Sequence, residues 1–464
     1  MWSSSTAAVA WLSAAVLVAA CGEPAAVVTV ESDLSAPDEI SDFCLLVEDR
    51  DPGGGAYAES FRLSESLSLP QTLTVFPGSA TAGIARARGF SDGDEIARDH
   101  ATVTFDSGVS DTVLALDGCQ PREAKPPATA HTAAAPAGAQ VIVSYGRGGA
   151  VILAAGDGEA TAFVAADGQL SPVSSPLPAA PDKVAALAIL DADGDCDDDV
   201  VMAGAAGLEI WLRGDGPAFA AGGIDDDGSP LAAVAAADVD EDGDVDVVAG
   251  GGPRLVLFRN DGSGGFGLDA AAIDSGAMTL DITALAIADV SGDGHPDLVI
   301  GQGAENPAPV IELANDASGT GFFELSAGAL PPTGYVTRDV AAIDANNDGA
   351  VGIVVATAGG VRHFFNRGDG RLEDRSFVTL PEVAWTGATS VAVADFDDNC
   401  IADVAVGQGE GAPVFLRGTV TGQLELAAIS ADAGGDAVIA DVDDDGAGDV
   451  VLTGGQPGIL WLSR

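Results

Sequence analysis

Between residues 25 and 119 short apolar runs alternate with polar ones: Val27-Val28-Thr29-Val30, Cys44-Leu45-Leu46-Val47, Thr72-Leu73-Thr74-Val75, Ile84-Ala85-Arg86-Ala87, Thr102-Val103-Thr104-Phe105 and Thr112-Val113-Leu114-Ala115-Leu116. A period of two marks half-buried strands, and turn-rich segments such as Asp51-Pro52-Gly53-Gly54-Gly55 separate them. About seven strands in this space predict a small immunoglobulin-like β-sandwich over 25–119. Residues 120–139 are rich in Pro and Ala and carry no period, as a semi-rigid linker does. From residue 140 to 464 the pattern changes to a short apolar run, an Asp-rich loop, a second apolar run and a third that ends in a Gly, Asn or Asp turn.

That unit recurs with a period near fifty. Its loops begin at Asp191, Asp238, Asp289, Asp344, Asp395 and Asp441, spaced 47, 51, 55, 51 and 46 residues apart, the length of one four-stranded propeller blade. The third strands read as Val151-Ile152-Leu153, Ile210-Trp211-Leu212, Val256-Leu257-Phe258, Val310-Ile311-Glu312-Leu313, Phe364-Phe365, Val414-Phe415-Leu416 and Ile459-Leu460-Trp461, one more than the loops. The last unit lacks an outer strand and the first lacks an inner one. Pairing between elements from the two ends of the repeat array would close a ring and leave only short, protected edges. The expectation is an all-β chain with a seven-bladed β-propeller, six blades being the alternative.

The loops read D-x-D-x-D-G-x-x-D, a spacing that turns carboxylates from alternate residues inward, as a hard cation wanting six to eight oxygens requires. Asp191, Asp193, Asp195 and Asp199, Asp238, Asp240, Asp242 and Asp246, and Asp441, Asp443, Asp445 and Asp449 are complete sets, expected to bind calcium most tightly. Asp289, Ser291, Asp293 and Asp297, like Asp395, Asp397, Asn399 and Asp403, carry one neutral oxygen donor in four. Asp344, Asn346 and Asp348 are followed by Gly352 where the last Asp belongs. The sixth position is Gly at 243, 294, 349 and 446 but Cys at 196 and 400, and a bridge between these two is not expected because their units are not neighbours. An EF-hand needs Glu at position 12, where these loops have Met202, Ala249, Ile300, Val355, Val406 and Leu452. Asp and Gly also make plain turns, yet six copies in phase point to metal rather than to turn chemistry alone.

The segments DVSGDGHPDLVIGQG (289–303), DVDEDGDVDVVAGG (238–251) and RNDGSGGF (259–266) resemble the FG-GAP or VCBS repeat of integrin α-subunit propellers and bacterial surface proteins. The resemblance implies calcium in loops on one face and ligand contacts on the other, where Gln302, Glu305, Asn306, Tyr335, Trp385, Gln408, Glu410 and Gln456 would fall. The tripeptides Arg213-Gly214-Asp215 and Arg367-Gly368-Asp369 occupy the turn after the third strand, where turn chemistry explains them. Recurring aromatics such as Trp211, Phe258, Phe365, Phe415 and Trp461 are expected to pack between blades.

With 19 Lys+Arg against 71 Asp+Glu the formal charge is −52, which repels nucleic acid and anionic membrane and attracts cations. The apolar run from Ala7 to Ala20, too short to span a bilayer, ends in Val18-Ala19-Ala20-Cys21. This resembles a bacterial lipoprotein signal over 1–21, which implies lipidation at Cys21 and display at the outer membrane or cell surface, or plain secretion as the alternative. Its first six residues lack the usual Lys or Arg. In an exported chain Cys44 and Cys119 are candidates for a disulfide across the sandwich. His100, His131, His295 and His363 are scattered and no catalytic motif accompanies them. The expectation is therefore a calcium-stabilised binding, adhesion or scaffolding module for a protein or glycan, touching membrane only through a lipid anchor. A secreted propeller enzyme of polysaccharide lyase or hydrolase type is the alternative.

Overall fold

The computed structural model describes residues 25–32, the strands between 42 and 115, and residues 129–463 apart from short loop segments, among them 270–272, 274–280, 304–309, 316–322, 326–329, 331–333 and 444–447. The chain divides into two compact units, Met1–Cys119 and Gln120–Arg464. Cys21 and Cys119 lie outside the described residues.

In the first unit Ala25–Glu31 pairs antiparallel with Gln71–Val75 and parallel with Val109–Ala115. A second sheet orders Ala56–Arg62, Asp42–Asp49, Ala82–Ser91 and Asp94–Thr104. The period of two does what it predicts: Val28, Val30, Phe43, Leu45, Ala85 and Ala87 are buried at alternate positions of three strands. Ala56–Arg62 was not among the strands legible as apolar runs, because only Tyr57 and Phe61 mark it between small and charged residues.

In the second unit each sheet runs outward along the chain from an inner first strand, and Gly223–Ile224 joins the outer edge of the sheet begun by Ala233–Ala237, parallel to Gly265–Asp269. These first strands are Gln140–Ser144, Val184–Leu190, Ala233–Ala237, Ile282–Ala288, Thr337–Ile343, Ala388–Ala394 and Gly434–Ala440. Six of the sheets consist of consecutive strands, which meets the alternative six-blade count; the sheet begun by Gly434–Ala440 takes its outermost strand from elsewhere. Thr129–Ala133, inside the stretch expected to be a linker, pairs antiparallel with Ile459–Ser463 and supplies that strand. Val151-Ile152-Leu153 is likewise displaced from its expected place. It belongs to the second strand of its sheet, Val151–Gly156, because Gln140–Ser144 is the inner strand that the sequence seemed to lack.

Second strands such as Asp199–Gly204, Asp246–Gly251 and Asp403–Gln408 are buried along their whole length, since neighbouring sheets cover both faces, and they read as unbroken small and β-branched runs. Each hydrophobic cluster of this unit draws on two successive sheets: Leu257 with Ile282 and Leu298, Val201 with Val247 and Phe258, Val354 with Val391 and Val404. Val141, Ile152 and Phe163 share one with Val442 and Val451, which returns the last sheet to the first. All-β sheets joined face to face in this manner form a β-propeller arrangement.

Polar ties add to this packing along part of the ring of first strands. Asp339 Oδ2 accepts from the Val391 N–H at 2.9 Å, Thr389 and Ser390 hydroxyls donate to the Gly435 carbonyl at 2.7 and 3.1 Å, and Asp436 Oδ2 accepts from the Val141 N–H at 2.9 Å. Burial, with the charge of Asp436 added, pushes Asp339 up to about 7, and burial pushes Asp436 up to about 6. A carboxyl raised on folding holds its proton more tightly in the native state. Its contribution is complete below the unfolded value near 4 and is lost as pH rises through about 6 to 7. The Asp339→Asn, Asp436→Asn double variant, whose amide oxygens can still accept from the facing N–H groups, should show a smaller fall in Tm than wild type between about pH 5 and pH 8. Thermal melts across that range check this, and equal slopes would contradict it.

Candidate metal centre

Each Asp-rich loop joins the first strand of a sheet to the second and is built by its own carboxylates. The first Asp accepts through Oδ2 from the sixth-position N–H: Cys196 at 2.9 Å, Gly243 at 2.8 Å, Gly294 at 2.9 Å, Gly349 at 2.7 Å and Cys400 at 2.6 Å. Its other oxygen takes the fifth-position N–H, at 3.1 Å for Asp195 and 3.0 Å for Asp242. These bonds need left-handed backbone at position six, where Gly243 has φ 101° and Gly294 φ 89°. Cys196 and Cys400 adopt φ 67° and 66° in the same place, a strain of about 1 kcal/mol for a residue with a Cβ. Both cysteines are disulfide-bonded, a role the spacing of the loops did not reveal.

The ninth position is the buried anchor. Asp199, Asp246, Asp297, Asp403 and Asp449 are 0 to 1% exposed. Asp199 Oδ2 accepts from Ala192 N–H at 2.8 Å and its Oδ1 from Arg213 N–H at 2.6 Å, so one carboxylate ties the loop to the end of the third strand. Asp297 does so with Val290 and Asn315, and Asp403 with Phe396 and Gly418. In the Asp344 loop Gly352 stands in this place, and its missing side chain lets the third strand approach closely. A Cβ there would stand 2.6 Å from the Phe364 carbonyl oxygen and 3.2 Å from the Asn366 nitrogen.

Burial pushes Asp191 up to about 7 and Asp199, Asp246 and Asp403 up to about 8, with neighbouring loop carboxylates raising them further against the hydrogen bonds they accept. Bare, these loops crowd like charges in low dielectric, a situation a divalent cation relieves. In four of them three carboxylates present oxygens within 4.8 Å of one another: Asp191, Asp193 and Asp199; Asp238, Asp240 and Asp242; Asp395, Asp397 and Asp403; Asp441, Asp443 and Asp449. Ser291 takes one place in the Asp289 loop, where its N–H bonds Asp297 at 2.7 Å. In the Asp344 loop Asn346 Nδ2 donates to Asp348 at 2.7 Å. Asp445 falls outside the described residues.

A second set of residues, unexpected from the motif, ends the third strands. Asn260 Nδ2 donates to the Ala192 carbonyl of the preceding loop at 3.0 Å, Asn315 to Val239 at 3.0 Å and Asn366 to Val290 at 2.8 Å. Arg213 fills the equivalent place, donating to Ser144 O at 2.7 Å, Ser144 Oγ at 2.9 Å and Gly149 O at 2.6 Å. The signal in the sequence was a polar residue before the turn at 213, 260, 315 and 366, where the Asp395 repeat has Gly418. On the other side, Gln302 and Gln408 are buried; Gln408 bonds Thr386 N–H and the Ala412 carbonyl, and the Gln302 amide nitrogen has no hydrogen-bond partner. Tyr335 is 46% exposed and Trp385 packs partly buried, while Glu305, Asn306, Glu410 and Gln456 lie outside the described residues.

The RGD tripeptides thus differ. Arg213 is 2% exposed and belongs to the interior, whereas the Arg367 side chain is 52% exposed and pairs with Glu373 at 2.6 Å. Arg213→Ala, which strands the Ser144 and Gly149 carbonyls, should cost about 2–4 kcal/mol. Arg367→Ala should stay within about 0.5 kcal/mol. Denaturant melts of the two variants distinguish these outcomes.

Residues 238–300 and 344–406 match the FG-GAP-like repeat model. No curated protein matches the chain in sequence. Among solved structures, an Agrocybe aegerita protein described for specific recognition of non-reducing terminal N-acetylglucosamine is 18% identical, with a TM-score of 0.46 over 70% of this chain and 95% of its own. BBS1N, crystallised with ARL6DN, is 10% identical, with a TM-score of 0.48 over 74% of this chain and 98% of its own. The chain carries FG-GAP-like repeats in a β-propeller arrangement.

Proposed function

We propose that this chain is a calcium-stabilised propeller that acts outside the cell as a binding or scaffolding module for a protein or glycan, without catalysis of its own. The sheet completed by Thr129–Ala133 is read as the seventh blade and the first unit as an immunoglobulin-like sandwich. Cys21 is read as a lipid anchor that holds the protein at the outer membrane or cell surface. A β-propeller with FG-GAP-like repeats fits such a module, and repeats of this kind are typical of extracellular proteins. Among the described residues no helix is long and apolar enough to cross a membrane.

The observation that carries the metal reading is the state of the loop oxygens. Asp193 Oδ1 and Asp240 Oδ1 are buried without a hydrogen-bond partner, in carboxylate groups that bring oxygens within 4.8 Å of one another. A buried charged oxygen without a partner costs several kcal/mol, and hard oxygen donors in this number suit calcium. Asp191, Asp193, Asp195 and Asp199 would hold one ion, and the Asp238, Asp289, Asp395 and Asp441 sets would hold others. Bound there, calcium supplies charge neutralisation and a rigid loop.

Binding confined to the native state stabilises it by about 2.7 kcal/mol per site at a hundredfold excess over Kd. Scanning calorimetry in calcium and then in EDTA should therefore show Tm falling in chelator and returning when calcium is restored. An unchanged Tm would refute structural calcium.

A further inference from the structure

Two loops contain a cation of their own. The strand pairings Val247↔Phe258 and Val404↔Leu416, carried one step on, set Arg259 beside Asp246 and Arg417 beside Asp403. The same register in the other repeats holds Leu212, Ala314, Phe365 and Ser463. Both arginines span the same gap. Arg259 bonds Asp240, the third residue of its loop, lies 3.9 Å from Asp246, and is held on its other side by Asp269 of the outer strand at 2.9 Å. Arg417 lies 3.8 Å from Asp397, again the third residue, and bonds Glu425 of its outer strand at 3.1 Å.

We propose that Arg259 and Arg417 are built-in competitors of the metal, which weaken calcium binding in the Asp238 and Asp395 loops relative to the Asp191 and Asp441 loops, so that the propeller fills in steps as calcium rises. This rests on the calcium reading above. A carboxylate oxygen engaged by a guanidinium must exchange that bond for the metal, and the arginine charge then stands against the ion. The Asp238 loop, complete in carboxylates, is thereby moved from the tight class suggested by its sequence to the weak one.

The test is a calcium titration of the full chain by isothermal calorimetry, comparing wild type with Arg259→Met and Arg417→Met, which keep apolar bulk and remove charge. Wild type should show a tight and a weak class of sites, and each Met variant should tighten weak sites about tenfold. Ser463→Arg sets an arginine in the same register beside Asp449 and should weaken one tight site, which decides the matter if a Met variant fails to fold. No calcium binding by wild type would overturn the metal reading itself. Calcium binding with affinities unchanged in the arginine variants would overturn this inference alone.

Discussion

The second unit depends on a buried carboxylate that five of its six Asp-rich loops carry. At the ninth loop position an Asp, shielded from water, accepts a hydrogen bond from the start of its loop and another from the end of the third strand. That strand end then reaches, through Asn260, Asn315, Asn366 or Arg213, to the preceding loop or its neighbourhood. Loop shape, strand pairing and the contact between successive sheets thus share a single residue. Apolar packing supplies the bulk of the stability, but it is non-directional; these bonds orient one sheet on the next.

The same carboxylates make the bare loops costly. Raised well above their ordinary range by burial and by each other, they favour a proton or a cation. A proton would quench the charge and leave the loop oxygens facing one another, whereas a divalent ion engages several at once. Guanidinium groups meet part of that demand in the Asp238 and Asp395 loops, and His295 of the Asp289 loop bridges to Glu241 of the Asp238 loop, so the repeats answer one electrostatic problem in different ways.

Much of the second unit was legible because its signals are local. Alternate Asp residues, a left-handed sixth position and an apolar second strand all act within about fifteen residues, and periodicity multiplies them. The Asn and Arg ties escaped because their partners lie 64 to 76 residues away and a polar residue before a turn explains itself locally. Thr129–Ala133 escaped for a similar reason: five small polar and apolar residues after a Pro-rich stretch become a strand only when Ile459–Ser463 offers its edge. Gln302 and Gln408 seemed suited to a ligand face, yet at the ends of buried strands their amides are enclosed. Gly352 looked like a lost ligand, and its missing side chain also lets the third strand approach closely.

The central claim is that the ninth-position Asp belongs both to the frame of the sheet and to a calcium site. Anomalous diffraction from crystals grown in calcium tests it most directly. The account predicts peaks about 2.3–2.6 Å from loop carboxylate oxygens, strongest in the Asp191 and Asp441 loops and weakest in the Asp344 loop. Well-ordered loops without anomalous density in any repeat would contradict it.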